Sequence, residues 1–432
     1  MKDVECRDLT PAGSRSTNSD SNPIVTTMRY FKISLLIFLF TTLTDFCIAR
    51  TDTTTVEIPV YCRDYSLGYG IRYDVLNVSE NFRTGLKLFS DIYYRGLAPD
   101  IKNKTLRNIM GFTWSFLGKW SSILWPHEFG HMIRTSQVGG RFSFVRLQFP
   151  GIIGKLEMPN NATFEDKTLA IIGGFEANYL MVRDVQFDYH QYNGLYNDEL
   201  GIAFGNRIMY AFYTYVFSFQ NPKEPETWNL EGGDPVNFTK LVWQNAGKEV
   251  FNPDSSINEG LLRFYNNAGL LSILWNLIDI NLYQQAGAFF GEELKGKRPY
   301  FVGNEKFSWA YGTFFNASVL GAELYFHNYI KSDDNFYNVY FRYGFPFKNY
   351  GIGIYASDVN VLDKFKLGAQ IDLWSQEFYG DGFAFYSNVS YKIFDKLNVF
   401  ARFGYKQNGY LAGTTTRDGI FGFFGLNYNF KK

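Results

Sequence analysis

The chain has 432 residues, 42 Lys+Arg against 42 Asp+Glu, and 44 Phe and 31 Tyr within an aromatic content of 19%. Zero net charge removes the electrostatic footprint of a general nucleic-acid binder, and so many aromatics exclude a disordered chain. A mean hydropathy of −0.19 excludes a polytopic helical membrane protein and leaves an aromatic-rich β protein, either soluble or a membrane barrel with a polar interior.

Residues 1–27 are polar and aperiodic, which predicts disorder or an upstream extension. A basic stretch, Met28–Lys32, precedes the apolar run Ile33–Phe40 and the small-residue end Cys47-Ile48-Ala49. That order predicts a secretory signal peptide over 28–49. The three cysteines, Cys6, Cys47 and Cys62, all precede residue 63. Cleavage near Ala49 would leave Cys62 alone, so neither a disulfide framework nor a thiolate metal site is expected.

Residues 50–300 read as a mixed region. Short strands are expected at Thr55–Tyr61, Gly68–Val75 and Phe142–Phe149, and helices near 105–137, 166–184, 201–218 and 259–290, with loops at Asn221–Asp234 and Lys248–Ser256. From 301 onward the period changes to two. In Lys364–Leu373, Phe365, Leu367, Ala369, Ile371 and Leu373 are apolar and the residues between them are Lys, Lys, Gly, Gln and Asp. This is a strand with one greasy and one polar face. Similar runs at 307–316, 320–330, Tyr337–Phe345, 350–357, Phe383–Ile393, Leu397–Lys406 and Ile420–Phe430 give about eight strands, separated by turn residues such as Asp333-Asp334-Asn335 and Gly380-Asp381-Gly382.

Strands of about ten residues with aromatics at their ends resemble those of bacterial outer-membrane β-barrels. The resemblance covers the last third of the chain and implies an antiparallel barrel over 301–432 in contact with outer-membrane lipid. It departs from the usual pattern in that Lys431-Lys432 follow the terminal aromatic Phe430. The fold class expected is α+β, a helical region followed by a barrel.

Two of the four histidines fall in Trp125-Pro126-His127-Glu128-Phe129-Gly130-His131. On a helix, His127 and His131 stand one turn apart and can point at one ion, with Glu128 beside them. Pro126 suits a helix's first turn. The segment resembles the active-site helix of zinc metallopeptidases, the zincins, and its His-Glu-Phe-Gly-His wording also resembles the site-2 intramembrane proteases. The resemblance implies that His127 and His131 bind Zn²⁺ and that Glu128 activates water.

A catalytic zinc needs a third protein ligand and an open position. The Gly and His of the metzincin extension do not follow His131, and the Leu-Asp-Gly or Asn-Pro-Asp-Gly contexts of site-2 proteases have no convincing copy here. The gluzincin solution, a Glu on a following helix, points to Glu176 in Gly173-Gly174-Phe175-Glu176-Ala177-Asn178. Leu169, Ile172, Glu176 and Leu180 share one apolar stripe, where a carboxylate needs a cation or a proton. Asp184 continues the stripe as the reserve ligand. Gly173 and Gly174 would let another helix approach closely. Tyr179, Tyr189 and His190 are open as oxyanion donors.

The function expected is therefore a zinc-dependent peptidase of the cell envelope, probed by a peptide or protein substrate and carried in the outer membrane, with no nucleic-acid partner. The competing expectations are a barrel or surface protein with a structural or inactive metal site, and a protease that cuts within the bilayer.

Overall fold

The computed structural model describes residues 64–429, apart from 71–74, 149–150, 218–220, 230–232, 292–295, 305, 334, 363 and 415–416. The signal peptide of 28–49, the extension before it and the strand expected at Thr55–Tyr61 lie outside the described residues.

A first strand, β1 (Asp64–Gly70), leads into α1 (Val75–Asp91) and the long α2 (Lys104–Gln137). The hairpin β2 (Arg141–Gln148) and β3 (Gly151–Glu157) precedes α3 (Phe164–Gln191). After the two-residue β4 (Leu195–Tyr196) come α4 (Asn197–Phe212), α5 (Pro225–Asn229), α6 (Asp234–Asn245), α7 (Glu259–Leu277) and α8 (Asn281–Phe289). The short β5 (Gly296–Lys297) pairs with β4, and β6 (Val302–Gly303) opens the strand-rich end. Val75 starts α1 rather than ending a strand, and the expected loop at Asn221–Asp234 holds α5.

Eight long strands follow where period two predicted them: β7 (Phe307–Ser318), β8 (Gly321–Ser332), β9 (Asn335–Pro346), β10 (Asn349–Leu362), β11 (Phe365–Gln376), β12 (Gly380–Phe394), β13 (Leu397–Gln407) and β14 (Gly419–Asn429). They form a continuous antiparallel meander, extended at one edge by β6 and at the other by β1, whose Tyr65, Leu67 and Tyr69 pair with Tyr428, Leu426 and Phe424. The fold is thus mixed α+β around a ten-stranded antiparallel sheet.

The expected closed barrel is corrected here. Among the described residues, β1 and β6 are the edges of an open sheet and do not pair with each other. An eight-stranded barrel has room inside for side chains only, whereas this sheet wraps a helix. Tyr179 of α3 packs on Phe314 and Tyr325, Phe187 stacks on Tyr355, and Gln191 accepts a hydrogen bond from Ser357 at 2.9 Å. The sheet's polarity is inverted relative to that of a soluble protein. Ile371 and Leu373 are half exposed on the outer face, while Gln370 and Asp372 between them are buried against the interior.

The catalytic-type helix α2 is longer than its motif required. It starts at an Asn103 cap, whose side chain accepts from the Leu106 N–H at 3.0 Å, and runs without a break through Pro126. Pro126 therefore sits in the helix interior, not in a first turn. Its ring removes the N–H that would have bonded the Ser122 carbonyl, and the Asn206 amide of α4 donates to that carbonyl instead, at 3.5 Å.

α2 and α3 cross where Gly130 faces Gly173. A Cβ on either glycine would overlap the other's backbone carbonyl, so the close approach expected from Gly173 is realised backbone to backbone. Gly130→Ala should cost about 1–3 kcal/mol through overpacking. Gly85→Ala, on the open side of α1 with nothing nearby, should instead gain up to about 1 kcal/mol of helix propensity. Thermal denaturation of the two variants checks the contrast.

Candidate metal centre

The HExxH turn of α2 is buried. The two Nε2 atoms of His127 and His131 lie 3.1 Å apart, and each ring is held from behind. The Ala170 carbonyl can only accept, so His131 must donate Nδ1–H to it across 2.8 Å, which leaves Nε2 facing His127 and Asp234. Behind His127 stands Asn178 Oδ1, 2.7 Å from Nδ1. The Asn178 amide nitrogen donates to the Ile123 carbonyl at 3.1 Å and to Asn206 Oδ1, which turns its oxygen toward the ring and makes Nδ1 the donor there as well.

Gly174 of α3 lies directly beneath the pair: a Cβ there would be 2.6 Å from both Nε2 atoms. Tyr213 stacks on one face of His127 at a centroid distance of 5.2 Å, and the Phe175 ring meets it edge-on at 5.1 Å.

The third donor is Asp234, the first residue of α6. Its Oδ2 is 3.0 Å from His127 Nε2 and 3.4 Å from His131 Nε2. Pro235 fits the first turn of that helix, whose N-cap is Gly233, and Asp234 turns its side chain toward the histidines. Three lone-pair donors thus converge on one point. A tetrahedral zinc with bonds of about 2.0–2.1 Å separates its ligand atoms by roughly 3.3 Å, so the three spacings fit one small cation. Burial pushes the Asp234 carboxyl up, but the His131 and His127 rings, when protonated, outweigh it and hold the group well below the usual carboxylate range. Glu128 is buried beside the ligands, with Oε2 facing Gly154 of the β2–β3 hairpin.

Glu176, the expected third ligand, is not among these donors. It is fully buried and binds Arg134, which donates Nε to Oε2 at 2.6 Å and Nη2 to Oε1. The Tyr410 hydroxyl and the Gly413 N–H also donate to Oε1, at 2.8 and 2.9 Å. The cation that a buried carboxylate on this stripe requires is therefore a guanidinium. Asp184, the reserve ligand, accepts from Ser79 Oγ at 2.9 Å and pairs with Arg183. Of the residues open as oxyanion donors, Tyr179 packs on the sheet and His190 stacks on Tyr329 at 3.9 Å with Nδ1 at the Gln186 carbonyl. Tyr189 is wholly buried beside His190, on the same turn of α3.

Sequence reasoning missed Asp234 and the supporting Asn178. The Gly233-Asp234-Pro235 run carries a helix-start signal, but nothing local says that its carboxylate reaches a histidine more than 100 positions earlier.

No family model matches the chain, and no curated protein matches it. Among solved structures it is similar to OmpT (in-vitro folded), an outer membrane protein of Vibrio cholerae, at 18% identity over 30% of this chain and 53% of that one, with a TM-score of 0.22. The match thus spans about half the length of that protein.

Two variants separate the carboxylates. Asp234→Ala should abolish stoichiometric zinc binding and leave the fold intact. Glu176→Ala should strand Arg134 as an unpaired buried charge, costing about 3–5 kcal/mol, and should still bind zinc if it folds. Asn178→Ala should weaken zinc by about 10–100-fold, as loss of a ligand's supporting partner does. Metal analysis and thermal denaturation of purified variants read all three outcomes.

Proposed function

We propose that this chain is a zinc-dependent peptidase of the cell envelope, with His127, His131 and Asp234 holding the metal and Glu128 acting as proton carrier. The observation that carries the reading is the convergence of three lone-pair donors beside a buried glutamate on one helix turn. Nitrogen and oxygen donors at these spacings suit zinc. Three protein ligands leave a coordination position for water or substrate, whereas structural zinc sites close with four. That difference favours the catalytic reading over a structural metal.

When bound, zinc supplies Lewis acidity at the scissile carbonyl and lowers the pKa of water toward about 7. The chain's own residues do the rest. Asn178 and the Ala170 carbonyl hold the imidazoles in the tautomer that offers Nε2. Glu128 takes the attacking water's proton and returns it to the leaving amine. Burial by Phe175 and Tyr213 keeps bulk water from the ligands and strengthens each of these interactions.

The donor set also bears on which resemblance fits better. Two histidines and an aspartate from a downstream helix is what the site-2 protease resemblance implies, although Asp234 lies in a Gly-Gly-Asp-Pro context and not in either of the contexts usual there. The gluzincin-type third ligand is set aside with Glu176.

The location we propose is the outer membrane, with a peptide or protein as substrate. The support is the signal-peptide-like segment at 28–49 together with the inverted polarity of the long strands, which places apolar side chains outside and charged ones inside. No helix of the described residues is long and apolar enough to cross a membrane by hydropathy.

Glu128→Gln should retain zinc and lose at least about 100-fold in hydrolysis of a quenched-fluorescent peptide mixture. His131→Ala should lose metal and activity together. Undiminished hydrolysis by Glu128→Gln would overturn the assignment.

A further inference from the structure

The open sheet leaves a gap in its wall, and helices fill it. From one edge to the other, β1 packs on α1, α1 on α2, α2 on α4, α4 on α7, and α7 on β7. Stretches of three of these helices share the inverted polarity of the strands: the last turns of α1, the first half of α2 and the second half of α7. On α1 the buried side holds Ser79, Arg83, Thr84, Lys87 and Ser90, while Leu88 and, just beyond its end, Ile92 are exposed. On α7 and the turn after it, Ser272, Asn276 and Asp279 are buried, and Leu270, Leu274 and Ile278 are exposed at one-turn spacing.

The pattern is longest on α2. Leu106, Ile109, Met110, Phe116 and Leu117 form an exposed row at helical spacing, with Ile109 60% exposed, and the row ends before Leu124, which lies on the same face and is buried. The opposite side of the same stretch holds Gly111, Gly118, Ser122 and the buried Lys119, whose ammonium donates to the Ala288 and Phe289 carbonyls at 3.0 and 2.9 Å. A soluble helix puts its apolar stripe inward, and here it points out.

At 1.5 Å per residue, Leu106 to Leu117 covers about 17 Å, roughly half of the ~30 Å hydrocarbon core of a bilayer. Exposed Lys102, Lys104 and Arg107 crowd one end, where long cationic side chains reach lipid headgroups. Averaged hydropathy misses such a helix because its inward side is polar. The outward apolar sides of α1 and of α7 adjoin the sheet at β1 and at β7, and α2 joins the series through α1.

We propose that the outward faces of α1, α2 and α7 lie against lipid hydrocarbon, so that one membrane-embedded wall is made of ten strands and these helices together. This rests on the membrane reading above and extends it from the strands to the helix that carries the metal ligands. The turn that carries His127 and His131 then stands about 15 Å along the helix beyond the end of the lipid-facing row at Leu117.

The test uses the full chain with Cys6, Cys47 and Cys62 replaced by serine, in phosphatidylethanolamine–phosphatidylglycerol vesicles. Single cysteines at Ile109, Phe116 and Leu274 carry spin labels, with Ile371 on the sheet as the lipid reference and exposed Asp254 as the water reference. Collision rates with oxygen and with a water-soluble nickel chelate are read by electron paramagnetic resonance. Labels at 109, 116 and 274 should match Ile371, with oxygen collisions several-fold above nickel collisions. Helix labels that collide with nickel as Asp254 does, while Ile371 stays lipid-like, would overturn the proposal and leave the membrane reading standing. Labels shielded from both reagents would also overturn it, because protein and not lipid would cover the helices. A nickel-accessible Ile371 would overturn the membrane reading itself.

Discussion

The molecule depends on the contact between two glycines, Gly130 on α2 and Gly173 on α3. There the two backbones touch, and that proximity places Gly174 under both imidazoles and Asn178 behind one of them. A side chain at any of these three glycines would push α3 away, and the histidines would lose the Ala170 carbonyl and the Asn178 amide that orient them. Proline 126 contributes from the other side. The carbonyl it frees is met by Asn206, which also orients Asn178, so the helix defect and the ligand support share one polar network.

A second constraint is the cost of a polar interior. Arg134–Glu176, Arg207–Asp279 and Arg342–Glu323 are buried ion pairs; the first two join separate elements and the third the neighbouring strands β8 and β9. Such pairs add little net stability over apolar packing, yet removing one partner is expensive. Their use here is to specify geometry. Glu176 is the clearest case, since it ties the end of the ligand helix, through Arg134, to α3 and to the β13–β14 connection at Tyr410 and Gly413. The sheet and the metal turn are thereby held in one compact unit.

The eight long strands were legible because period-two patterning is local: each strand states which residues share a face, whichever face meets solvent. The same patterning could not say that the sheet stays open, because closure depends on what occupies the concave side. The motif turn was legible for a similar reason, as His127, Glu128 and His131 need only a helix to meet. The reading of Glu176 as a ligand had the right premise, that a carboxylate on a buried stripe requires a cation. It assigned a metal where Arg134, one turn past His131, supplies the charge.

By itself, then, the sequence determined the elements whose evidence is periodic and the grouping of His127, Glu128 and His131 on one helical turn. The tertiary structure alone decided that Asp234 stands beside His127 and His131, that Glu176 pairs with Arg134, and that helices pack where the sheet ends. The physical reason is range. Periodicity and helical spacing act over a few residues, whereas a ligand sphere, an ion pair and a sheet edge join positions that only folding brings within 3 Å or so.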